Sequence, residues 1–172
     1  MKGLHALTCG RGGWIIARHN SVRDKLADII KAHSPHPVHI EPHTDNCADD
    51  RHPDIRFTDG KGEDVWLDVS IVTPTVHTVR TSGTRAERAG ALAASTELHK
   101  RAKYPTLKLV PFVLETYGHP GDSALAVVRA LCPHQEAAER SAWIKQQWRS
   151  LQTTAARGTV QCLAKGSCLQ PP

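Results

Sequence analysis

The run Asp54-Ile55-Arg56-Phe57-Thr58 alternates polar and apolar side chains, Asp59-Gly60-Lys61-Gly62 is a turn signal, and Asp64-Val65-Trp66-Leu67-Asp68-Val69-Ser70-Ile71-Val72 alternates again. A period of two on both sides of a glycine-containing turn predicts an antiparallel β-hairpin. Val65, Leu67, Val69 and Ile71 share one face of its second strand, and Trp66, Asp68 and Ser70 the other. With residues 59–63 as the loop, Thr58 pairs with Asp64, and Asp54 falls opposite Asp68. Cross-strand partners hold their Cβ atoms roughly 4.5–5.5 Å apart. Two carboxylates so placed repel each other unless something neutralises them, and a divalent cation does so. Oxygen-only ligands favour Mg²⁺ or Mn²⁺ over zinc. A one-residue slip of register would instead separate the two aspartates onto different faces and leave them solvated.

Working outward from the hairpin, Ser21 with Asp24 three residues later forms a weak capping box, and Val22, Leu26, Ile29 and Ile30 then fall on one helical stripe. His33-Ser34-Pro35 stops that helix. Val38-His39-Ile40-Glu41, between Pro37 and Pro42, reads as a short strand near a sheet edge. Residues 44–52 read as a polar, acidic loop and 73–83 as a loop rich in Thr, Ser and Pro. From 84 to 104 the chain is alanine-rich and favours helix, closing on His99-Lys100-Arg101 and Lys103 before Pro105. A strand over 107–115 follows, then helices over 123–131 and from 133 to about 154, the second carrying Trp143 and Trp148. Residues 158–172 show little pattern and read as a frayed, disordered tail. The order is helix, strand, hairpin, helix, strand, C-terminal helices. It predicts an α/β fold with a mixed sheet, because the hairpin must be antiparallel.

A chain of 172 residues with 40% apolar content is long enough for one domain with a sizeable core. The longest apolar run, Leu109-Val110-Pro111-Phe112-Val113-Leu114, is far too short to span a bilayer. The start of the chain does not pair a basic segment with an apolar one, so a soluble intracellular protein without a secretory signal or a membrane partner is expected. Lysine and arginine number 22 against 17 aspartates and glutamates, a net charge of +5, and the pI is near 9.1. That balance favours a polyanionic partner. The 5 cysteines are scattered and odd in number, unlike a disulfide framework. His5 and Cys9 are spaced so that both can reach one metal ion, but a structural zinc site wants four ligands.

Hydrolysis at a carboxylate–metal centre also needs a cation to stabilise charge developing on the phosphoryl group. No lysine stands two residues after Asp68; Ser70 is there. Lys100 and Lys103 would reach the aspartates if their helix packs across the sheet. Otherwise they belong to a solvated basic face, with Glu97 and Arg101 paired one turn apart.

Pro53-Asp54 followed by Asp68 resembles the PD-(D/E)XK nuclease motif. More specifically, the chain resembles the restriction-like endonuclease domain at the C-terminus of non-LTR retrotransposon reverse transcriptase proteins. The resemblance runs through His5-Ala-Leu-Thr-Cys9, Arg18-His19-Asn20, Pro53-Asp54-Ile55, Asp68-Val69-Ser70-Ile71, Lys100-Arg-Ala-Lys103-Tyr104 and Pro111-Phe-Val-Leu-Glu-Thr-Tyr-Gly118. It implies a restriction-endonuclease-like core over 14–131, with a helical appendage over 132–157. It also implies Mg²⁺ or Mn²⁺ on Asp54 and Asp68, and a catalytic lysine displaced onto the following helix near a tyrosine, as Lys100, Lys103 and Tyr104 allow.

Glu41 is either an accessory metal ligand or a solvent-facing edge carboxylate, and Arg18, His19, Arg23 and Arg101 are candidates for the DNA backbone. The family carries a Cys-Cys-His-Cys zinc knuckle before the nuclease. His5 and Cys9 resemble its last two ligands, so residues 1–13 would be its remnant and the chain a piece of a longer protein. Arginine, common immediately before Pro-Asp in the family, here stands one place earlier at Arg51. The implied activity is nicking of target DNA in the nucleus, alongside an upstream reverse transcriptase and the element's RNA. A DNA-binding module without catalysis and a structure-specific, resolvase-like nuclease are the alternatives.

Overall fold

The computed structural model describes residues 7, 13–42, 52–74, 90–104 and 107–166. Its elements are α1 (Trp14–His33), β1 (His39–Ile40), β2 (Ile55–Thr58), β3 (Asp64–Val72), α2 (Ala91–Lys103), β4 (Leu109–Glu115), α3 (Asp122–Ala130) and α4 (Ala137–Gly166). The four strands form one mixed sheet in the order β1-β2-β3-β4, antiparallel except for the β3–β4 pair. The chain is thus α/β, and α2 serves as the crossover that parallel neighbours require.

The hairpin register pairs Thr58 with Asp64 and Ile55 with Leu67, as the sequence alternation predicts. Leu67 and Val69 on β3, with Phe112 and Leu114 on β4, belong to the main core together with Val22, Leu26 and Ile30 of α1 and Val128 of α3. The opposite face of the sheet, with Asp68, Pro111, Val113 and Glu115, is covered by α2.

α1 begins at Trp14, eight residues earlier than the Val22 start that a cap at Ser21 suggests. Gly13 provides its start with a left-handed backbone, φ 73°, and Ser21 lies inside the helix, its hydroxyl donating to the Ala17 carbonyl at 2.8 Å. β1 occupies the sheet edge as expected, shortened to His39–Ile40. The described part of the alanine-rich segment is helical from Ala91, and residues 75–89 lie outside the described region.

The C-terminal expectations need correction. α4 is a 30-residue helix reaching Gly166, so 158–166 is no frayed tail. Nor is α4 an appendage, because Trp143, Trp148, Leu151 and Ala155 are buried within the same core as α1 and the sheet. Trp148 stacks on Phe112 with centroids 6.0 Å apart. Trp143 donates its indole N–H to His33 Nε2 at 3.2 Å, while His33 Nδ1–H donates to the Ile29 carbonyl at 2.8 Å. Gly158, the first residue of the stretch expected to fray, sits where α4 presses on α1: a Cβ there would lie 2.6 Å from Arg18 Cγ. The entropic cost of a helical glycine is offset by that close approach.

Candidate active site

Asp54 ends the approach to β2, and its backbone N–H donates to the Leu67 carbonyl at 2.9 Å, so Asp54 does face Asp68 across the hairpin. One carboxylate oxygen, Oδ2, accepts the Val69 N–H at 2.6 Å, replacing the strand carbonyl that would otherwise continue the ladder. The same oxygen lies 3.3 Å from His19 Nε2, which is also 3.2 Å from the Val69 carbonyl. Both neighbours of Nε2 are acceptors, so this nitrogen carries the proton. α1 brings His19 here because the helix starts early: a helix beginning at Ser21 would have left His19 outside it.

Asp68 lies on the α2 side of the sheet and is 6% exposed. The Lys100 ammonium is 2.7 Å from its Oδ2. That ammonium is the charged partner of the buried carboxylate, and the neighbouring Asp54 carboxylate also bears on it. Burial pushes the Asp68 carboxyl above its ordinary range, and Lys100 only partly offsets this. Burial acts the same way on Asp54, but the His19 hydrogen bond and charge, with the Val69 N–H, more than reverse it and hold Asp54 below the usual carboxylate range. His19 is correspondingly raised by its hydrogen bond to Asp54, against the opposing effect of burial. Two neighbouring carboxyls are therefore driven apart: Asp54 is the firmly ionised member and Asp68 the one readier to hold a proton.

Asp68, His19 and Lys100 open onto a cleft of about 510 Å³ between the start of α1, the part of β3 beyond β2, and α2, with Asp54 behind its lining. His19, Asp68, Ser70, Thr96 and Lys100 line it. Thr96 stands one helical turn before Lys100 but donates its hydroxyl to the Leu92 carbonyl at 2.8 Å.

The remaining candidates are placed as follows. Lys103 is exposed and sits over the Tyr104 ring at 5.1 Å, and neither residue lines the cleft. Tyr104 is 6% exposed, a packed side chain. The Glu41 carboxylate is paired with the Arg23 guanidinium, which also meets Asp24 at 2.9 Å. Glu41 is nevertheless next to the site in the ladder, its N–H donating to the Asp54 carbonyl at 2.9 Å. Arg101 donates to the Ser123 hydroxyl at 2.5 Å, tying α2 to α3. Arg18 is buried in the cleft wall, donating to the Thr159 hydroxyl at 3.4 Å. His5, Cys9 and Arg51 lie outside the described residues. Among the described residues no group of three or more His, Cys, Asp or Glu is gathered as a metal cluster.

Two carboxylates have positioning roles that the sequence reading missed, although it offered Glu97 as a partner for Arg101. Glu97 is 4% exposed and accepts the N–H and hydroxyl of Ser123 at 3.0 and 2.9 Å, which caps the start of α3. Glu115 accepts the Ala93 N–H at 3.3 Å near the start of α2. Together they seat the helix that carries Lys100. Apart from the helical spacing of Glu97 and Lys100, no local signal marks them, because their partners are distant in sequence.

No helix among the described residues is long and apolar enough to cross a membrane. No protein-family model matches the sequence, and no curated protein matches it.

Proposed function

We propose that this chain is a metal-dependent DNA endonuclease with a restriction-endonuclease-like core, of the kind that accompanies non-LTR retrotransposon reverse transcriptases. The observation that carries the reading is the grouping of Asp54 and Asp68 across one hairpin register, with Lys100 2.7 Å from Asp68 and His19 3.3 Å from Asp54. The donor set suits a hard cation: two neighbouring carboxylates, Asp54 and Asp68, whose mutual repulsion only His19 and Lys100 offset among the described residues. When bound there, Mg²⁺ or Mn²⁺ supplies a Lewis acid for a phosphoryl oxygen and lowers the pKa of an attacking water.

The side chains do the rest. Lys100 supplies a fixed positive charge where the phosphoryl group becomes more negative. His19 Nε2–H and the Val69 N–H hold the Asp54 carboxylate in one orientation and keep it ionised. Of the two lysines the resemblance offers, the reading assigns the role to Lys100, since Lys103 lies over Tyr104. The partners would be DNA in the nucleus, an upstream reverse transcriptase and the element's RNA, with zinc on a knuckle that includes His5 and Cys9.

The test is plasmid nicking with Mg²⁺ or Mn²⁺ against EDTA, for the wild type beside Asp54→Ala and Asp68→Ala. Metal-dependent nicking that both substitutions abolish, with DNA binding retained, is the expected result. Binding that weakens with salt but never leads to nicking, with or without metal, would replace the nuclease by a DNA clamp.

A further inference from the structure

The net positive charge of the chain is concentrated in one helix. Residues 140–166, nearly all of α4, hold 5 basic side chains, Arg140, Lys145, Arg149, Arg157 and Lys165, and no aspartate or glutamate. That equals the whole net charge of +5, so elsewhere lysine and arginine are balanced by the 17 acidic residues. At about 100° per residue, Lys145, Arg149 and Arg157 fall within about 120° of one another, on the side of α4 away from Trp148, Leu151 and Ala155 in the core. All three are exposed, and none forms an ion pair or side-chain hydrogen bond among the described residues. A solvated helix face usually interleaves acids one turn from its bases. Here Lys145 and Arg149 stand one turn apart and repel, which a polyanion would relieve.

The residues that the sequence offers for the DNA backbone are engaged elsewhere. Arg18 is turned into the seam between α1 and α4, His19 holds Asp54, Arg23 pairs with Glu41 and Asp24, and Arg101 donates to Ser123. On α4, the short side chains Thr153 and Ala156 lie exposed between Arg149 and Arg157, so a phosphate strand can come close. Of the large apolar side chains on this face only Val160 and Leu163, near its C-terminal end, are exposed. That leaves little to insert into a lipid interface or to form the apolar centre of a protein interface.

We propose that the outer face of α4 binds the sugar–phosphate backbone of duplex DNA, with Lys145, Arg149 and Arg157 as its phosphate contacts. The surface is separate from the cleft: α4 packs on the Arg18 side of α1, whereas Ile16, nearly opposite on that helix, lines the cleft. The proposal rests on the nuclease reading for its choice of DNA among polyanions. It implies no sequence preference, because phosphate contacts position a duplex without reading its bases.

The experiment measures binding of the full chain to a labelled perfect duplex, in EDTA, at several salt concentrations. Wild type is compared with the triple variant Lys145→Gln, Arg149→Gln, Arg157→Gln. A control variant, Lys31→Gln, Lys61→Gln, Lys108→Gln, removes the same charge at exposed positions outside α4. Each phosphate contact contributes about 0.9 to the slope of log K against log salt, so the α4 variant is expected to lose about 3 of that slope and to bind more weakly at low salt. Each single α4 substitution should lose about 1, and the control should keep the wild-type slope. An unchanged slope overturns the proposal, and so does an equal loss in the control, which would trace binding to net charge alone. Phosphatidylserine vesicles and single-stranded RNA are titrated in the same way, and a loss confined to either overturns DNA as the partner. Plasmid nicking reads the parent proposal separately. Nicking with an unchanged slope keeps the nuclease and removes this surface, whereas slope loss without nicking keeps the surface and removes hydrolysis.

Discussion

His19 Nε2 lies 3.3 Å from Asp54 Oδ2 and 3.2 Å from the Val69 carbonyl, so one imidazole N–H joins the first helix to a candidate catalytic carboxylate and to the strand that carries the other. This makes His19 an orienting residue for Asp54 rather than a free contact for DNA. Replacing it with alanine is expected to lower nicking by about 10–100-fold, the range for groups that orient a metal-binding side chain. The corresponding readout is a rise in the Mg²⁺ concentration needed for half-maximal nicking. An unchanged Mg²⁺ requirement would show that Asp54 is held well enough by the Val69 N–H alone.

Lys100 and Lys103 lie on the same helix with different surroundings, one at Asp68 and one over Tyr104. Lys100→Ala should reduce nicking by about 10²–10³-fold, as expected for loss of a charge aimed at the reacting group. Lys103→Ala should leave nicking near the wild-type rate. Single-turnover rates on one oligonucleotide separate the two, and a reversed order would place the reacting phosphate on the other side of α2.

Glu97 should matter for stability first and for Lys100 second. Glu97→Ala leaves the Ser123 N–H and hydroxyl without their buried acceptor and is expected to cost about 1–3 kcal/mol. Urea denaturation measures this. Because Glu97 ties α2 to α3, the nicking rate of the folded variant should fall too, with DNA affinity little changed.

Gly158→Ala reverses the usual sign of its class. In an exposed helix interior the change stabilises by about 1 kcal/mol. Here the new methyl would meet Arg18 Cγ at 2.6 Å, its Cβ at 2.9 Å and its Cα at 3.1 Å. Over-packing of this kind costs about 1–3 kcal/mol, so a lower Tm is expected. Combining it with Arg18→Ala should recover part of the loss, since the nearest of the three crowding atoms is then gone.

The hairpin contributes to acid sensitivity at its turn as well as at Asp54. Asp59 accepts the backbone N–H groups of Glu63 and Lys61 at 3.0 and 2.8 Å, and these bonds lower its pKa. Asp64 is lowered by its hydrogen bond to Arg56. A carboxyl whose folded pKa lies below its unfolded value stabilises fully above the ordinary value, about 3.9. That contribution is lost as the pH falls through the folded pKa. Asp59→Asn should therefore be less stable than the wild type near neutrality, with the difference closing below about pH 4. Denaturation midpoints measured across that range provide the check.

The hairpin was legible in the sequence because its information is local. Side chains alternate with a period of two, the loop length sets the register, and the register sets Asp54 opposite Asp68. Strand order at the β1 edge and the existence of the core helices followed from equally short-range signals. What the sequence misread was decided by contacts between distant segments. Ser21 looks like a cap, yet Gly13 starts the helix, and the extra turns put Arg18 and His19 beside β3. The stretch from Gly158 shows little pattern, yet Gly158 is where α4 packs tightly against Arg18 of α1. The choice between Lys100 and Lys103 depended on how α2 is seated by Glu97 and Glu115, whose partners lie 26 and 22 residues away. Local patterning specifies which segments become strands and helices. It does not specify how two helices approach or which face of a helix meets a carboxylate, because those depend on packing and buried hydrogen bonds that form only when the whole sheet is assembled.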